Sequence, residues 1–513
     1  MMGGVDFLGP SLRSRKRAWA LPDWKTAGFA AFGVWLLVVG AHHEPWFDES
    51  QAWLLARDSS LYELLAERVR YEGSPGLWHF LLWIGAHSGI PFSNLYLISA
   101  ACALSGAAIV LWRAPFPAPL RLLLLGSYFF SYQFSVVARS YTLDLALIPA
   151  LALVFPCRTR KPIIYGLLLG LLANSNAHSF FFASVLGAEW LWSLARAQRI
   201  NGAAAGLALA FTLGLFALFV AWQPADNAFM NAGIRARSAS TAGLLYVNEA
   251  FVDRWSFWSA DTPSLPARVY GAVGSACLLL PSLLLFRRAG TLPLFIALVM
   301  VLTGFSIMVY AMPWHSGILF LAWIFCLWIA WPVLGGFPAL GRAVMATLTI
   351  VTAIQMVEGV RSGVWDALHS YTGSAQAAKR ITDVLTAHPQ ARIAAAGFMA
   401  TEVQPYFSHN IFSNFHEGAL QPAFVEWKHS DAHIFATLPE AHEAITSRHD
   451  LLLMSTAHVD PEALAGFESA AIGRGYRILA TCVGNRTWKG YADPNGAGSL
   501  IIFISSRLFT AAG

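Results

Sequence analysis

Charge is what this sequence has least of. Asp, Glu, Lys and Arg make up 12% of its 513 residues, against roughly a quarter in soluble globular chains. Hydrophobic residues make up 56% and mean hydropathy is +0.53, a balance that excludes an ordinary soluble protein and implies a polytopic membrane protein. Cysteine is scarce as well, five residues with no CxxC pair. Cys102, Cys157, Cys277 and Cys326 lie in or beside apolar runs, which argues against a disulfide framework or a zinc site. Missing too are the GxGxxG and GxxxxGK[ST] loops and any DxD triplet, the usual means of holding a soluble nucleotide. No nucleotide cofactor is therefore expected, and an activated donor would arrive within the bilayer.

What is abundant is aromatic and aliphatic. The 20 Trp and 35 Phe suit a helical bundle with aromatic belts at the membrane interfaces. Apolar runs at 26–42, 94–112, 120–137, 142–157, 162–178, 179–195, 203–222, 266–286, 292–311, 315–334 and 342–358 predict a polytopic α-helical membrane protein of about 11 transmembrane helices. Basic clusters fall in alternate connections: Arg13, Arg15, Lys16 and Arg17, then Arg113 with Arg121, Arg158 to Lys161, Arg196 with Arg199, Arg287 with Arg288, and Arg342. The net charge of +5 thus reports topology and no nucleic-acid partner. It puts the N-terminus in the cytoplasm and the C-terminus outside. The first apolar run has no convincing cleavage pattern before Glu44 and reads as a retained span, not a removed signal peptide.

The domains follow from this map. Residues 1–25 form a cytoplasmic basic arm and 26–364 a transmembrane domain with external loops at 43–93 and 223–265. The stretch 52–69 of the first loop is amphipathic at helical spacing and is expected to lie flat on the membrane; 77–84 is apolar but short, as in an interfacial or re-entrant helix. The second loop, with Arg235, Arg237, Glu249, Asp253 and Arg254, is expected to cover a cavity as a lid. From 365 to 513 the composition turns soluble. A helical pattern at 374–386 and strand patterns at 391–396, 451–454, 477–482 and 500–505 predict an external α/β domain.

The chemistry centres on Trp46-Phe47-Asp48-Glu49-Ser50-Gln51-Ala52-Trp53, just past the first span. Carboxylates at a membrane edge are costly unless something uses them, although the same residues also suit a helix start. Three companions share the predicted external side: Glu72-Gly73-Ser74-Pro75-Gly76-Leu77-Trp78, Ala138-Arg139-Ser140-Tyr141, and Asn176-Ala177-His178. His42-His43-Glu44 looks ligand-like, but adjacent helical side chains point apart, which ranks it below Asp48. Gly166-Leu167-Leu168-Leu169-Gly170 reads as a helix-packing motif. Asn485-Arg486-Thr487 has the glycosylation-acceptor pattern, too short to weigh.

These motifs, in this order, resemble the GT-C superfamily of polyprenyl-phosphate-sugar-dependent glycosyltransferases, in its protein O-mannosyltransferase and aminoarabinose-transferase branch. Phe47-Asp48-Glu49 resembles that family's acidic motif after the first helix. Ser74-Pro75-Gly76-Leu77-Trp78 is similar to its His-Pro-Pro-Leu-Tyr turn, with Ser74 in place of the histidine, Ala138-Arg139-Ser140-Tyr141 to its Arg-Glu-Ala-Arg-x-Tyr segment, and Ala177-His178 to its Thr-His-Tyr. The resemblance covers roughly the first 200 residues and implies transfer of a sugar, with inversion, to an external lipid, glycan or protein acceptor, in the inner membrane of a bacterial cell envelope.

Such a transfer needs a base for the acceptor hydroxyl and a cation for the departing phosphate. Asp48 is the expected base with Glu49 beside it, and Arg139 the phosphate clamp because its planar fork suits phosphate. Tyr141 and His315 are expected against the donor phosphate. Asp48, Glu72 and His178, with Glu49 as a further donor, are the expected ligands of a possible divalent metal ion. The rival readings are a lipid-linked glycan ligase or polymerase and, outside enzymology, a transporter or flippase of lipid-linked sugar.

Overall fold

Asp23 accepts the backbone N–H groups of Lys25 and Thr26 and so starts the first apolar helix, Trp24–His42, since a side-chain acceptor satisfies donors that have no partner in the first turn. The computed structural model describes residues 23–228, 247–251, 265–309, 312–430, 434, 436–457, 459–492 and 499–510. Among them six helices are long and apolar enough to cross a membrane: Trp24–His42, Phe92–Arg113, Ile200–Ala221, Val269–Ala289, Pro313–Gly336 and Pro338–Leu368. Thr142–Cys157, Pro162–Ala173 and Leu292–Met308 are apolar but shorter, and Ala177–Arg196 joins them in the bundle. The last long helix has 31 residues, or about 46 Å at 1.5 Å each, against a hydrocarbon core of about 30 Å. The helix is therefore longer than the core, and its last turns carry Arg361 and Trp365 against the sheet domain. The basic arm lies outside the described residues up to 22, as does most of the expected lid at 229–246 and 252–264.

Two expectations for apolar stretches are corrected. The run 120–137 is no single span: the helix Ala118–Gly126 has nine residues, and one wide turn, Phe129–Gln133, follows. Tyr128, Phe129, Phe130, Tyr132 and Phe134 are completely buried there in protein. The long helix makes room with Gly359, where a Cβ would meet Ser131 Oγ at 2.2 Å. The amphipathic stretch after Asp48 does not offer its apolar face to lipid either. Leu54, Leu55 and Leu64 pack with Val69, Val220, Ala423 and Phe424, so the sheet domain covers the face that the sequence assigns to the bilayer. The helix Leu77–His87 is as short as expected.

The C-terminal domain is built on a four-stranded sheet in the order β1-β2-β6-β3. Its strands are β1 (Ile393–Ala396), β2 (Leu451–Ser455), β3 (Tyr476–Cys482) and β6 (Leu500–Ser505). β1 and β2 run parallel, and β6 is antiparallel to both β2 and β3. Ile393, Leu451, Leu453, Ile502 and Ile504 face the helix Ser374–Ala387 through Ala377 and Ile381. Leu452, Met454, Ile501 and Phe503 face Ile445 and Phe467, from the helices Thr437–Thr446 and Pro461–Gly473. Both faces of β1, β2 and β6 are covered, which is why these strands read as nearly unbroken apolar runs, whereas the edge strand β3 is partly exposed and carries Arg477 and Thr481.

Between β3 and β6 the chain forms a small hairpin, β4 (Thr487–Trp488) with β5 (Tyr491–Ala492). Lys489 and Gly490 turn it with positive φ values of 51° and 81°, as two-residue hairpin turns require. Arg361 donates to the Gly490 carbonyl at 3.1 Å and Trp365 Nε1 to that of Asn485 at 2.9 Å. The hairpin is thereby laid against the protruding end of the long helix.

Candidate functional site

The helix Phe47–Arg57 opens at Trp46, and Glu49 turns back to accept the Trp46 N–H at 3.2 Å. Glu49 is completely buried. Its Oε1 accepts the Ala138 N–H at 2.6 Å, while its Oε2 meets His43 Nε2 at 2.9 Å. The other ring nitrogen of His43 lies 2.7 Å from Asp366 Oδ2, which also accepts the Tyr132 hydroxyl at 2.9 Å. Burial works against a charged His43, yet the carboxylates of Asp366 and Glu49 outweigh it and hold the imidazole well above its usual range. An imidazolium donating to both acids fits this geometry. Glu49, expected beside Asp48 as a second catalytic acid, thus has its carboxylate engaged inside the protein, where it ties the Asp48 helix to the backbone just before Arg139.

Asp48 points the other way. Its Oδ2 lies 2.8 Å from Arg139 Nη2, with 30% of the Asp48 side chain and 20% of the Arg139 side chain exposed. Burial raises the Asp48 carboxyl above the usual carboxylate range, Arg139 and Arg486 draw it down, and Glu49 adds to the rise. The Arg139 guanidinium lies 5.5 Å from the Trp46 ring, 5.4 Å from Tyr141 and 5.3 Å from Trp314, within the range of cation–π attraction. Behind it His315 stands 5.5 Å from Tyr141 and 4.2 Å from His178, ring centre to ring centre. The Met312 N–H donates to His315 Nδ1 at 2.9 Å, which leaves the proton of a neutral ring on Nε2.

Asp48, Arg139, Tyr141 and His315 are therefore brought together as the sequence arrangement suggests. Glu72 and His178 lie beside this group, His178 against His315 and Glu72 within electrostatic reach of Asp48 and Arg139, but each hydrogen-bonds to other partners. Glu72 accepts Gln51 Nε2 at 3.0 Å and Trp427 Nε1 at 2.8 Å, and Gln51 also exchanges bonds with the Val425 backbone. Burial pushes the Glu72 carboxyl up to about 7. His178 Nε2 lies 3.3 Å from Ser306 Oγ. Among the described residues no group of three His, Cys, Asp or Glu side chains is arranged to hold a metal ion. Asp48, Glu72 and His178 are not gathered into one such group.

Two parts of the site escaped sequence reasoning. The adjacency of His42 and His43 places them on different sides of the helix, and the two do diverge: His42 is exposed and bonded to Val38 O at 2.8 Å, whereas His43 is buried. The inward half of such a pair is the informative one. The other is Arg486, which comes from the sheet domain yet lies 5.4 Å from the Trp46 ring. Its signal was Trp488-Lys489-Gly490-Tyr491, a two-residue turn between aromatics that marks a hairpin. No family model and no curated protein matches the sequence.

Proposed function

We propose that this chain is a membrane glycosyltransferase that moves a sugar from a polyprenyl-phosphate-linked donor to an acceptor hydroxyl on the non-cytoplasmic side. On this reading the shorter helices complete about 11 spans, the N-terminus is cytoplasmic, and the sheet domain stands outside the bacterial inner membrane. The observation that carries it is the Asp48–Arg139 pair, partly open and set in aromatic rings where the membrane helices meet the sheet domain. A base and a phosphate-binding cation in contact are the two groups the transfer needs.

The donor phosphate displaces Asp48 from Arg139, since a planar guanidinium can donate two parallel hydrogen bonds to either anion. Asp48, released, takes the acceptor proton as the hydroxyl oxygen attacks the anomeric carbon. The bond from that carbon to the phosphate oxygen breaks, its electron pair leaves with the polyprenyl phosphate, and the new glycosidic bond forms with inversion. Arg139 stabilises the charge on the leaving phosphate, with Tyr141 and His315 set in turn beside it. Glu49 holds the helix start and Ala138 in register, so that base and clamp meet.

Purified protein supplied with a glycosylated polyprenyl phosphate and a panel of lipid, glycan and peptide acceptors tests the reading. Free polyprenyl phosphate should appear only when an acceptor is present, and Asp48→Asn should lower turnover by roughly 10²–10⁴-fold in a protein that still folds. Full turnover by a well-folded Asp48→Asn protein would move the base elsewhere. Movement of intact lipid-linked sugar across vesicles, with no new glycosidic bond from any acceptor, would make the chain a flippase.

A further inference from the structure

The hairpin between β3 and β6 belongs to the sheet domain by sequence and to the membrane part by contact. Thr487, Trp488 and Lys489 are 4%, 7% and 1% exposed, unusual for the tip of a turn. Trp488 Nε1 donates to Glu249 Oε2 at 3.1 Å, and its ring meets Tyr128 edge-on at 5.3 Å. Lys489 Nζ donates to the Glu249 carbonyl at 3.1 Å and lies 3.5 Å from Glu249 Oε2 and 3.6 Å from Glu358 Oε2. A buried lysine between two acids, with its own backbone N–H 3.4 Å from the Tyr128 hydroxyl, fixes the tip in one place. Arg486 comes immediately before these anchors, so its backbone is fixed as well.

What the anchoring delivers is a second guanidinium at the Asp48 site. Arg486 and Arg139 lie 5.4 and 5.5 Å from the same Trp46 indole, so the two are no more than about twice that distance apart. Both act electrostatically on Asp48. Trp314 continues the same wall, 5.8 Å from Trp46 and 6.4 Å from Trp488. Arg486 is buried within electrostatic reach of two acids, Asp48 and Glu402, and a buried cation among acids is weak evidence of added stability by itself. An arginine 8% exposed, carried by a locked turn to a site that already holds an arginine, fits the binding of an anion. Two planar forks beside the same indole match the several oxygens of a phosphate better than one does.

We propose that Arg139 and Arg486, one from the membrane helices and one from the sheet domain, form a two-arginine clamp for the phosphate of a lipid-linked donor. The hairpin then makes the sheet domain a constituent of the donor site. The inference rests on the polyprenyl-phosphate reading above and adds the residue and domain that complete it.

Equilibrium binding of polyprenyl phosphate and of the uncharged polyprenol to the full chain in lipid nanodiscs separates the two ideas. Wild-type protein should prefer the phosphate. Arg486→Gln should lose about tenfold or more of that preference, with polyprenol binding unmoved, and Arg486→Lys should recover part of it. Lys379→Gln, which removes an exposed charge from the same domain, should change nothing. Hydrogen exchange on the wild type needs no variant to fold: polyprenyl phosphate should slow exchange at residues 484–490, and polyprenol should not. Undiminished phosphate preference in Arg486→Gln, or unchanged exchange at 484–490, would overturn the clamp while a loss in Arg139→Gln leaves the donor reading standing. A wild type that binds both lipids equally would overturn both.

Discussion

One step along a helix turns a side chain through about 100°, and that step separates Asp48, on the cleft with Arg139, from Glu49, inside with His43 and Ala138. A third acid, Glu402, is 2% exposed on the sheet-domain side of the same region. Burial pushes its carboxyl up to about 8, with Arg486 pulling it down and Glu44 pushing it further up. A raised value means that the folded chain holds this proton more tightly than the unfolded one. The contribution to stability is complete below the unfolded value of about 4.3 and is lost as pH climbs to about 8. Glu402→Gln should therefore flatten the fall in thermal midpoint between about pH 5 and 8. Glu72, raised to about 7, should preserve a smaller slope. Midpoints measured across that range check it; an unchanged slope would mean that Glu402 is already ionised in the fold. At this scale Asp48 and Arg139 were legible because a charge in an apolar sequence stands out. Arg486 was not, since a charge in a soluble domain does not.

Helices that touch backbone to backbone need glycine at the contact. A Cβ on Gly166 would lie 2.0 Å from the Gly206 carbonyl oxygen, and one on Gly170 would lie 2.4 Å from Leu213. The sequence motif thus marks the crossing of Pro162–Ala173 with Ile200–Ala221. Gly166→Leu should destabilise the bundle by about 3 kcal/mol, the upper end of overpacking costs, because the obstacle is backbone. Gly187→Leu, with open space around it, should be tolerated; unfolding of both variants in detergent compares them, and equal midpoints would remove the crossing. Strands and packing glycines were legible because they depend on local pattern. The 120–137 segment and the amphipathic stretch after Asp48 were misassigned for one physical reason: an apolar face shows that it avoids water but not whether protein or lipid covers it.

Across the whole molecule the site requires the Asp48 helix and the sheet domain on one side of the membrane. With the five cysteines replaced, Tyr62→Cys and Ser430→Cys, both at exposed positions, should react with a membrane-impermeant thiol reagent on intact cells. Gln198→Cys, exposed near the basic cluster that ends Ala177–Arg196, should react only after permeabilisation; the reverse pattern would invert the topology. Outside 120–137 most helix positions are readable because apolar runs are local, but the seating of the sheet domain on the helices depends on pairs such as Lys489 with Glu249 and Glu358, far apart in sequence. Strand β6 lies between β2 and β3 although the ribosome delivers it after both, and the hairpin sits on the segment joining β3 to β6. Glu249 and Glu358 thus meet a lysine that follows both in sequence, and Arg486 is held beside Trp46 from the segment that the two strands bracket. Loss of the pairing between β3 and β6 would free both ends of that segment at once, so the fit of one sheet edge sets the place of an arginine that lies against the first helices of the chain.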